Sequence, residues 1–409
     1  MRDEWQVKAL GEICHVVGGG TPSKQNAAFY EGDIPWATVR DMKEEVLSHT
    51  EFRISKEAVR HSSTNIIPAG NVVIATRVGL GKVCLLNQDT AINQDLRGVI
   101  PKVSGLDTRY LLRWFQSISN TIESEGTGAT VKGVKLPFIK SLKIPVPPLD
   151  EQKRIVAILD EAFAGIEKAV ANTEKNLANA RELFDSYSSS AFREREQRWN
   201  RERFGNVCGF VRGPFGGSLK KSFFVSDGYA VYEQQHAIND QFSFVRYFID
   251  AKKFEEMARF ELKPGDLIMS CSGTMGRVAI APDKLKRGII NQALLKLTPS
   301  SKVDAHFLKL WMEQESFINE IKKHSQGVAI KNVASVKVLK EIEVPCPPIE
   351  EQRALVERLK YHSDRADELK FIYQQKLTAL SELKQSLLQK AFSGELTAKD
   401  SNTAKEAAA

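Results

Sequence analysis

The chain has 409 residues, of which 42% are hydrophobic and 27% are charged, and its formal net charge is +7. These proportions predict two or three folded domains and exclude a disordered, collagen-like or membrane-embedded chain. The longest apolar stretches, such as Val72–Ala75, are far shorter than the ~20 residues that cross a bilayer. Met1–Trp5 has no apolar core, so we expect no signal peptide. The five cysteines are scattered without a Cys-x-x-Cys pair, which predicts neither a disulfide framework nor a zinc site and favours a reducing cytoplasm.

The sequence contains an internal repeat. Residues 144–156 (IPVPPLDEQKRIV) return as residues 344–356 (VPCPPIEEQRALV), at an offset of 200. Shorter matches upstream occur in the same order at similar offsets: Asn93-Gln94 with Asn291-Gln292, and Lys132 with Lys331. So many collinear matches predict two copies of one unit, each with a varied globular part followed by a better-matched segment.

The globular parts, residues 1–149 and 199–349, are predicted to be mixed α and β. Short apolar runs between Gly and Pro predict strands at Val72–Ile74, Val99–Ile100, Leu267–Met269 and Val278–Ile280. Helical spacing covers Thr108–Ile122 and Ala305–Ile321. The basic excess lies on these parts, which carry net charges of +3 and +6, whereas residues 150–198 carry −2 and residues 350–409 are neutral. Two basic modules joined by near-neutral segments are typical of a two-headed nucleic-acid binder.

The better-matched segments predict two long helices, over residues 150–198 and 350–395. Pro147-Pro148 precede the first helix, Asp150 is expected to cap it, and Glu151 falls in the first turn, where the helix dipole favours acid. Residues 396–409 are expected to form a disordered tail.

Apolar residues then recur at spacings of three and four over five heptads, which is typical of a coiled-coil seam. Two helices of ~43 residues would each extend ~65 Å. We expect them to pack antiparallel on each other; the alternative is that each packs only on its own globular part. The expected seam residues are Ile155, Leu159, Ile166, Leu177, Phe184, Leu355, Leu359, Leu369, Leu377, Leu380 and Leu387.

Several strings imitate enzyme motifs but lack essential residues. Val146-Pro-Pro-Leu149 is similar to the Asn/Asp-Pro-Pro-aromatic motif of amino-methyltransferases but has neither the polar residue nor the aromatic. Thr76–Lys82 lacks the first glycine and the final Ser/Thr of a phosphate loop, so a strand-ending turn is predicted there. No cluster has metal-ligand spacing and no Gly-x-Ser-x-Gly is present. We therefore expect no catalytic residues and no metal site.

The chain resembles the specificity (S) subunit of type I restriction-modification systems. The resemblance rests on Gly18–Ser23 (GGGTPS), Ile34-Pro35-Trp36, Gly126-Thr127-Gly128 and the helix-start motif that occurs twice. The second copy departs at Arg212–Ser218, which lacks Thr-Pro. The resemblance implies an α+β fold with two pseudo-symmetric mixed α/β target recognition domains separated by two long antiparallel coiled-coil helices.

The resemblance also implies a non-catalytic subunit that reads a bipartite, asymmetric target on double-stranded DNA. Methyltransferase (modification) subunits and restriction/translocase subunits are the implied partners, with no membrane. No cofactor is expected in this chain; S-adenosylmethionine, and ATP with Mg, are expected in the partner subunits. Two alternatives stay open at this point: a stand-alone DNA methyltransferase or nuclease with a fused reader, and a coiled-coil adaptor that binds only protein.

The candidate DNA-binding residues lie in paired loops and turns of the two copies. Glycines in these loops would let the backbone approach phosphate, and Gln234, Gln235 and His236 are candidates for reading bases. The remaining candidates are Thr21, Ser23, Lys24, Arg40, Arg77, Lys132, Arg212, Ser218, Lys220, Lys221, Ser272 and Lys331.

Overall fold

The computed structural model describes residues 5–128, 132–196, 198–323 and 335–398. Contacts divide the chain into two units, Met1–Lys175 with Gln374–Ala409, and Asn176–Tyr373. Each unit therefore contains one globular part and a portion of each long helix. No helix in the described ranges is long and apolar enough to cross a membrane.

The globular part of the first unit is built on two sheets and a strand pair. One sheet has the order β2-β10-β7-β8-β4, the other has the order β5-β3-β9-β6, and β1 pairs with β11. The strands are β1 Gln6–Ala9, β2 Cys14–Gly18, β3 Ile34–Ala37, β4 Val46–Leu47, β5 Phe52–Ile54, β6 Asn65–Ile67, β7 Val72–Ala75, β8 Val83–Leu86, β9 Thr90–Ile92, β10 Leu96–Pro101 and β11 Lys143–Val146. The helices are α1 Leu10–Ile13, α2 Lys56–Arg60, α3 Thr108–Ser117, α4 Ser119–Ser124, α5 Leu136–Ser141 and the long α6 Leu149–Glu196.

The second unit has the same plan. Its sheets have the orders β13-β21-β18-β19 and β14-β16-β15-β20-β17, and β12 pairs with β22. The strands are β12 Arg201–Arg203, β13 Cys208–Arg212, β14 Phe224–Val225, β15 Tyr229–Tyr232, β16 Tyr247–Ile249, β17 Glu261–Leu262, β18 Leu267–Ser270, β19 Val278–Ile280, β20 Gly288–Ile290, β21 Leu294–Pro299 and β22 Glu343–Pro345. The helices are α7 Phe204–Val207, α8 Gln234–Asn239, α9 Ala251–Glu256, α10 Ala305–Met312, α11 Glu315–Lys323, α12 Val336–Glu341 and the long α13 Ile349–Ser393.

The predicted repeat is confirmed by the topology. The order β2-β10-β7-β8 recurs as β13-β21-β18-β19, and β5-β3-β9-β6 recurs as β16-β15-β20-β17. The parallel pair β3 with β9 also recurs as the parallel pair β15 with β20. The second unit adds β14 at the edge beside β16. The mixed α/β class predicted for each copy is therefore confirmed, and the predicted apolar strands fall in β7, β10, β18 and β19.

Each of the two shorter predicted helices is interrupted. Thr108–Ile122 is divided into α3 and α4 at Ile118, whose φ of −110° and ψ of 11° are outside the helical range. The hydroxyls of Ser117 and Ser119 donate to the carbonyls of Trp114 and Gln116, and such bonds compete with the helical pattern. Ala305–Ile321 is likewise divided into α10 and α11. The sequence pattern predicts one continuous helix in each case, because these local breaks leave no trace in the apolar periodicity.

A fully buried glutamine fixes the start of each long helix. The Gln152 amide nitrogen donates to the carbonyls of Gly105 and Pro147, both at 2.8 Å, and its oxygen accepts the Asp107 N–H at 2.9 Å. The Asp107 carboxylate in turn caps α3 by accepting the N–H groups of Arg109 and Tyr110. The helix start, the loop before α3 and the α3 cap are thus one hydrogen-bonded unit.

Gln352 makes the same three bonds in the second unit. Its nitrogen donates to Lys302 and Pro347, and its oxygen accepts the Asp304 N–H at 2.8 Å. We call the two sets of bonds the glutamine clamps. The expected cap, Asp150, is wrong: α6 begins at Leu149, and the Pro148 carbonyl accepts the first helical N–H groups. Asp150 instead lies in the first turn.

The long helices run antiparallel where they meet in each unit. In the first unit Ile155 and Leu159, near the start of α6, share a core with Leu388 and Ala391, near the end of α13. In the second unit the ring of Tyr187, near the end of α6, lies 4.1 Å from that of His362, near the start of α13. Both helices also pack on the globular parts, so the two packing modes that the sequence left as alternatives occur together.

Part of the predicted seam is displaced. Ile155, Leu159, Ile166, Leu355 and Leu359 are buried as expected. Leu369, however, is 38% exposed, and the fully buried residue of the last heptad is Leu388 rather than Leu387. A straight α-helix drifts by ~20° per heptad against a 3.5-residue repeat, so a template started at Leu355 loses its register along the helix. The other predicted seam residues, each half-buried, are Leu177, Phe184, Leu377, Leu380 and Leu387.

The first residues of the predicted disordered tail are ordered. Leu396 packs against the core of the first unit, and Thr397 is buried with its hydroxyl donating to the Glu151 carboxylate. These residues are ordered because the turn at Gly394, with φ of +85°, brings the chain back onto the start of α6. Residues 399–409 lie outside the described residues.

An ion network joins α3 to α6 in the first unit. The buried Arg113 guanidinium contacts the carboxylates of Glu45 at 2.5 Å and Asp160 at 2.6 Å, and it lies 4.8 Å from the Phe163 ring. Burial alone lowers the pKa of Arg113, but the hydrogen bonds and charges of the two acids outweigh it and raise that pKa. In the second unit the equivalent position is the apolar Leu310, so this network belongs to the first unit.

The glutamine clamp leads to a stability prediction. Gln352→Leu keeps the volume but leaves the Asp304 N–H and the Lys302 and Pro347 carbonyls without their partner in a buried place. We expect this to lower the free energy of unfolding by about 2–4 kcal/mol, measured by chemical denaturation. The matched control is Gln375→Leu, at an exposed position of the same helix, which should change it by less than about 0.5 kcal/mol. Equal effects of the two variants would contradict the clamp.

Candidate nucleic-acid interface

Four connections of the first unit meet at one end of its sheets. The end of β2, the end of β7 and the start of β10 are adjacent, since Gly18 pairs with Arg97 and Ala75 with Leu96. The parallel pairing of β3 with β9 brings the end of each to the same place. We call the loops that follow, residues 19–24, 38–41, 76–82 and 93–95, face 1.

Face 1 and the aromatic residues beside it line a half-open cavity of about 660 Å³. Its wall combines aromatic rings with cations, amides and hydroxyls, a mixture that suits contact with nucleic acid bases and phosphates. The lining residues are Thr21, Lys24, Tyr30, Trp36, Thr38, Val39, Arg40, Phe52, Val78, Asn93, Gln94 and Asp95.

The glycine run of face 1 packs against protein rather than leaving room for phosphate. A Cβ at Gly19 would lie 2.1 Å from the Asn93 carbonyl oxygen, and one at Gly20 would lie 2.2 Å from the Ser63 hydroxyl. The Gly20 N–H donates to Ile92 at 3.0 Å, and the Trp36 indole donates to the Gly20 carbonyl at 3.1 Å. The expectation that these glycines let the backbone approach phosphate is therefore wrong. They let the loop lie directly on the end of β9.

The Asn93–Asp95 loop is held by its own side chains. The Asn93 amide donates to the Asp95 carboxylate at 3.1 Å and accepts the Asp95 N–H at 3.1 Å. Arg77 lies 3.4 Å from Asp95, and the Thr21 hydroxyl donates to the Gln94 side chain. Gln94 itself is exposed. A rigid loop thus presents a polar amide beside a cation.

The structure brings most of the predicted residues of the first copy together. Thr21, Lys24 and Arg40 line the cavity, and Ser23 is exposed between the first two. Lys132 is exposed next to Gly133, which bridges to Thr127, and Val134 donates its N–H to the Thr76 carbonyl at 2.9 Å. Lys132 therefore lies close to the turn that carries Arg77.

Face 2, residues 213–221, 233–235, 271–276 and 291–293, is the equivalent of face 1 in the second unit. The Gln234 amide donates to the Ser272 carbonyl and accepts the Ser272 hydroxyl at 3.2 Å. Arg212 hydrogen-bonds the thiol of Cys271. Burial raises the pKa of Cys271 to about 11, an effect that Arg212 opposes. Three of the predicted residues, Arg212, Gln234 and Ser272, therefore lie at one site.

His236 does not present its ring to a ligand. The side chain is 1% exposed, one ring nitrogen accepts the Glu233 N–H at 2.9 Å, and the other lies 3.0 Å from the Phe244 carbonyl. The prediction that His236 reads a base is wrong, because its position in α8 faces the core, one residue beyond the half-buried Gln235. Burial raises the pKa of the neighbouring Glu233, whose carboxylate accepts from the Gln235 amide at 3.4 Å.

The other candidates of the second copy are exposed or lie outside the described residues. Ser218, Lys220 and Lys221 are exposed along the loop of face 2. Lys331 lies outside the described residues.

Sequence reasoning missed a polar pair in the loops of both faces. Asn93-Gln94 and Asn291-Gln292 form a repeated pair in the sequence, but they are absent from the predicted site residues. Their repetition in loops whose neighbours differ was the available signal. In the aromatic wall, Tyr30 and Phe52 had no such signal, and Trp36 had only the Ile34-Pro35-Trp36 motif of the resemblance, which does not distinguish a site residue from a core residue.

Two topologically equivalent α/β domains, each with a polar loop face and each packed on antiparallel helices, define a duplicated recognition protein. The type I restriction modification DNA specificity domain matches residues 2–174 and 250–379. This chain belongs to that family, which favours a DNA-specificity role over the two alternatives from the sequence.

Curated relatives agree with this assignment. The chain is 41% identical over 165 residues to the EcoR124I/EcoR124II specificity subunit of Escherichia coli, a match that covers 39% of this chain and 40% of that protein. It is 31% identical over 189 residues to the MjaIX specificity subunit of Methanocaldococcus jannaschii, covering 44% of that protein. The chain thus matches less than half the length of these two relatives. The MjaVIII specificity subunit of the same archaeon is 22% identical over 98% of this chain and 95% of its own length.

Solved structures have the same fold. A chain described under "complex assembly and conformational transition of the type I R-M system" aligns with a TM-score of 0.78 and 19% identity over 97% of this chain and 99% of its own. The HsdS subunit from Thermoanaerobacter tengcongensis aligns with a TM-score of 0.61 and 19% identity over 97% and 98%. The predicted fold class is confirmed by these likenesses.

Face 2 leads to a prediction about its glycines. A Cβ at Gly213 would lie 1.8 Å from the Asn291 carbonyl oxygen, whereas one at Gly217 would meet nothing within 4 Å. We expect Gly213→Ala to displace the loop and to lower the free energy of unfolding by about 1–3 kcal/mol, as overpacking does. Gly217→Ala should be neutral within about 0.5 kcal/mol. Thermal unfolding of both variants measures the difference, and a neutral Gly213→Ala would show that the loop is not seated on Asn291.

Proposed function

We propose that this chain is the DNA-recognition subunit of a type I restriction-modification complex. Each globular part reads one half of a bipartite, asymmetric target on double-stranded DNA, and the subunit positions methyltransferase and restriction/translocase subunits on that target. Family membership supports the class of function. Faces 1 and 2 supply the two separate reading surfaces that a bipartite target requires.

One observation carries the proposal: the two faces share a backbone plan but differ in the side chains at equivalent positions. A guanidinium in face 1 is replaced by an amide in face 2, and a carboxylate by a methyl group. A cation suited to phosphate in one face is thus replaced by an amide suited to a base edge in the other, so the two half-sites should differ in sequence. The equivalent pairs are Arg40 and Gln235, Thr38 and Glu233, and Asp95 and Ala293.

Exposed cations beside each face supply the contacts that sequence reading needs first. Lys24 and Arg40 in face 1 and Lys220 and Lys221 in face 2 are exposed, and both globular parts are net basic. Phosphate contacts set the register of a protein on DNA, whereas amides and carboxylates that reach base edges select the sequence. We assign the cations to the first role and Gln94, Gln234 and Gln235 to the second.

The chemistry of the complex is assigned to the partner subunits. The modification subunits would bind S-adenosylmethionine and transfer its methyl group, and the restriction subunits would bind ATP with Mg. This chain contributes the location of the target and not a catalytic group. Its five cysteines are all unpaired, which supports a place in the reducing cytoplasm.

Salt dependence tests the phosphate contacts. The affinity of the complex reconstituted with its modification subunits should fall steeply between 50 and 200 mM salt. Arg40→Ala should weaken binding and reduce the slope of log K against log salt by about one. The control is Lys102→Ala, because Lys102 follows Pro101 at the opposite end of β10 from face 1. Titration by fluorescence anisotropy measures each slope, and a flat response of the unaltered complex would refute the DNA-recognition role.

Exchange of one globular part tests the bipartite target. Replacing residues 199–349 by the corresponding part of a different specificity subunit should change one half-site and leave the other intact, because contacts to base edges are local to each face. The measurement is sequencing of the methylated motif made by the reconstituted methyltransferase. A swap that altered both half-sites together would mean that the two parts read DNA jointly.

A further inference from the structure

Phe215 is an aromatic side chain that the fold leaves in water. It is 90% exposed, more than any other large apolar side chain among the described residues. Solvation of a whole phenyl ring is unfavourable, and aromatic side chains dominate the energetics of contact surfaces. The next most exposed phenylalanine among the described residues of the second unit is Phe244, at 66%.

The backbone that carries Phe215 is firmly held. On one side Gly213 and Pro214 are buried, and the Gly213 N–H donates to Leu294 at 2.9 Å. On the other side the Ser218 N–H donates back to the Phe215 carbonyl at 2.8 Å, and Leu219 is buried in the core. The ring therefore extends from a turn that hydrogen bonds and buried neighbours hold in place, and not from a flexible segment.

Phe215 occupies the position that Thr21 has in face 1. Both residues are the third after the matching strands β2 and β13, which end at Gly18 and Arg212. Thr21 lines the cavity of face 1. The same loop position thus carries a small hydroxyl in one domain and a phenyl ring in the other, in the middle of the surface assigned to DNA.

The surroundings of Phe215 select DNA as the partner. Arg212, Lys220 and Lys221 are within six residues of it. An apolar protein surface would leave these cations unpaired, whereas DNA offers phosphates to the cations and base faces to the ring. Apolar side chains flanked by cations are what architectural proteins insert between base pairs.

We infer that Phe215 is an intercalating wedge, which enters a base step of the half-site read by face 2, unstacks it and bends the duplex there. The inference rests on the proposed DNA-recognition function. Pyrimidine–purine steps unstack most easily, so the wedged step is of this type. Because Thr21 is too small and polar to intercalate, the bend is confined to one half of the target.

The test uses the full complex with its modification subunits and duplexes that contain the methylated motif. End-to-end energy transfer measures bending, and 2-aminopurine placed at each half-site in turn reports unstacking. We expect the unaltered complex to bend the duplex and to raise 2-aminopurine fluorescence only in the half-site of face 2. Phe215→Ala should abolish both signals and weaken specific binding 10- to 100-fold. The affinity for random duplex, and the slope of log K against log salt for that binding, should each stay within twofold of the values for the unaltered complex.

Two further variants keep the test decisive. Phe215→Trp should retain the bend, because a larger ring can still intercalate. Phe244→Ala should behave as the unaltered complex, since Phe244 lies beyond the end of α8 that is remote from Gln234. Normal bending by Phe215→Ala, or equal losses in Phe215→Ala and Phe244→Ala, would overturn the wedge and leave the proposed function standing. Failure of the unaltered complex to bind DNA would instead refute the proposed function.

Discussion

The buried glutamine at the start of each long helix is the interaction on which the rest of the fold depends. Gln152 and Gln352 each join two backbone segments: the turn into the long helix, and the loop that leads into and caps an earlier helix, α3 or α10. A buried amide with all its partners satisfied permits one geometry only, since any rotation of the helix leaves buried polar groups unpaired. The direction in which a recognition domain leaves its helix is therefore fixed by hydrogen bonds, not only by apolar packing.

Each face is arranged so that rigid backbone carries variable side chains. Glycines at positions 19 and 213 allow the first loop to lie on the end of the neighbouring strand, and the Asn93–Asp95 loop is locked by its own amide and carboxylate. Once the backbone is fixed in this way, residues such as Arg40 or Gln235 can differ without altering the scaffold. A duplicated domain can thus acquire two different specificities while its fold stays the same.

Much of the architecture could be predicted because it follows from periodic or repeated patterns in the sequence. The motif at 144–156 and 344–356 gave both long helices, and the apolar runs gave the central strands. Asp150 was mistaken for a cap because α6 already begins at Leu149, directly after a proline whose side chain gives no capping signal. Leu369 was mistaken for seam because the heptad template drifts on a straight helix. His236 was mistaken for a base reader because its place on the buried side of a six-residue helix depends on Phe244, which no local pattern relates to it.

The network of Arg113 bears on where a globular part could be exchanged between related chains. Arg109 and Arg113 lie in the globular part, whereas their partner Asp160 lies within α6. A crossover at the start of α6 would separate them, and an incoming domain with an apolar residue at the position of Arg113, as Leu310 is, would leave the half-buried Asp160 without its buried guanidinium partner. A crossover beyond Phe163 keeps acid, base and ring together. The unit that can be inherited intact is therefore the globular part with the first ~four turns of its helix, and gene fusions within those turns carry a cost in stability that the sequence repeat alone does not reveal.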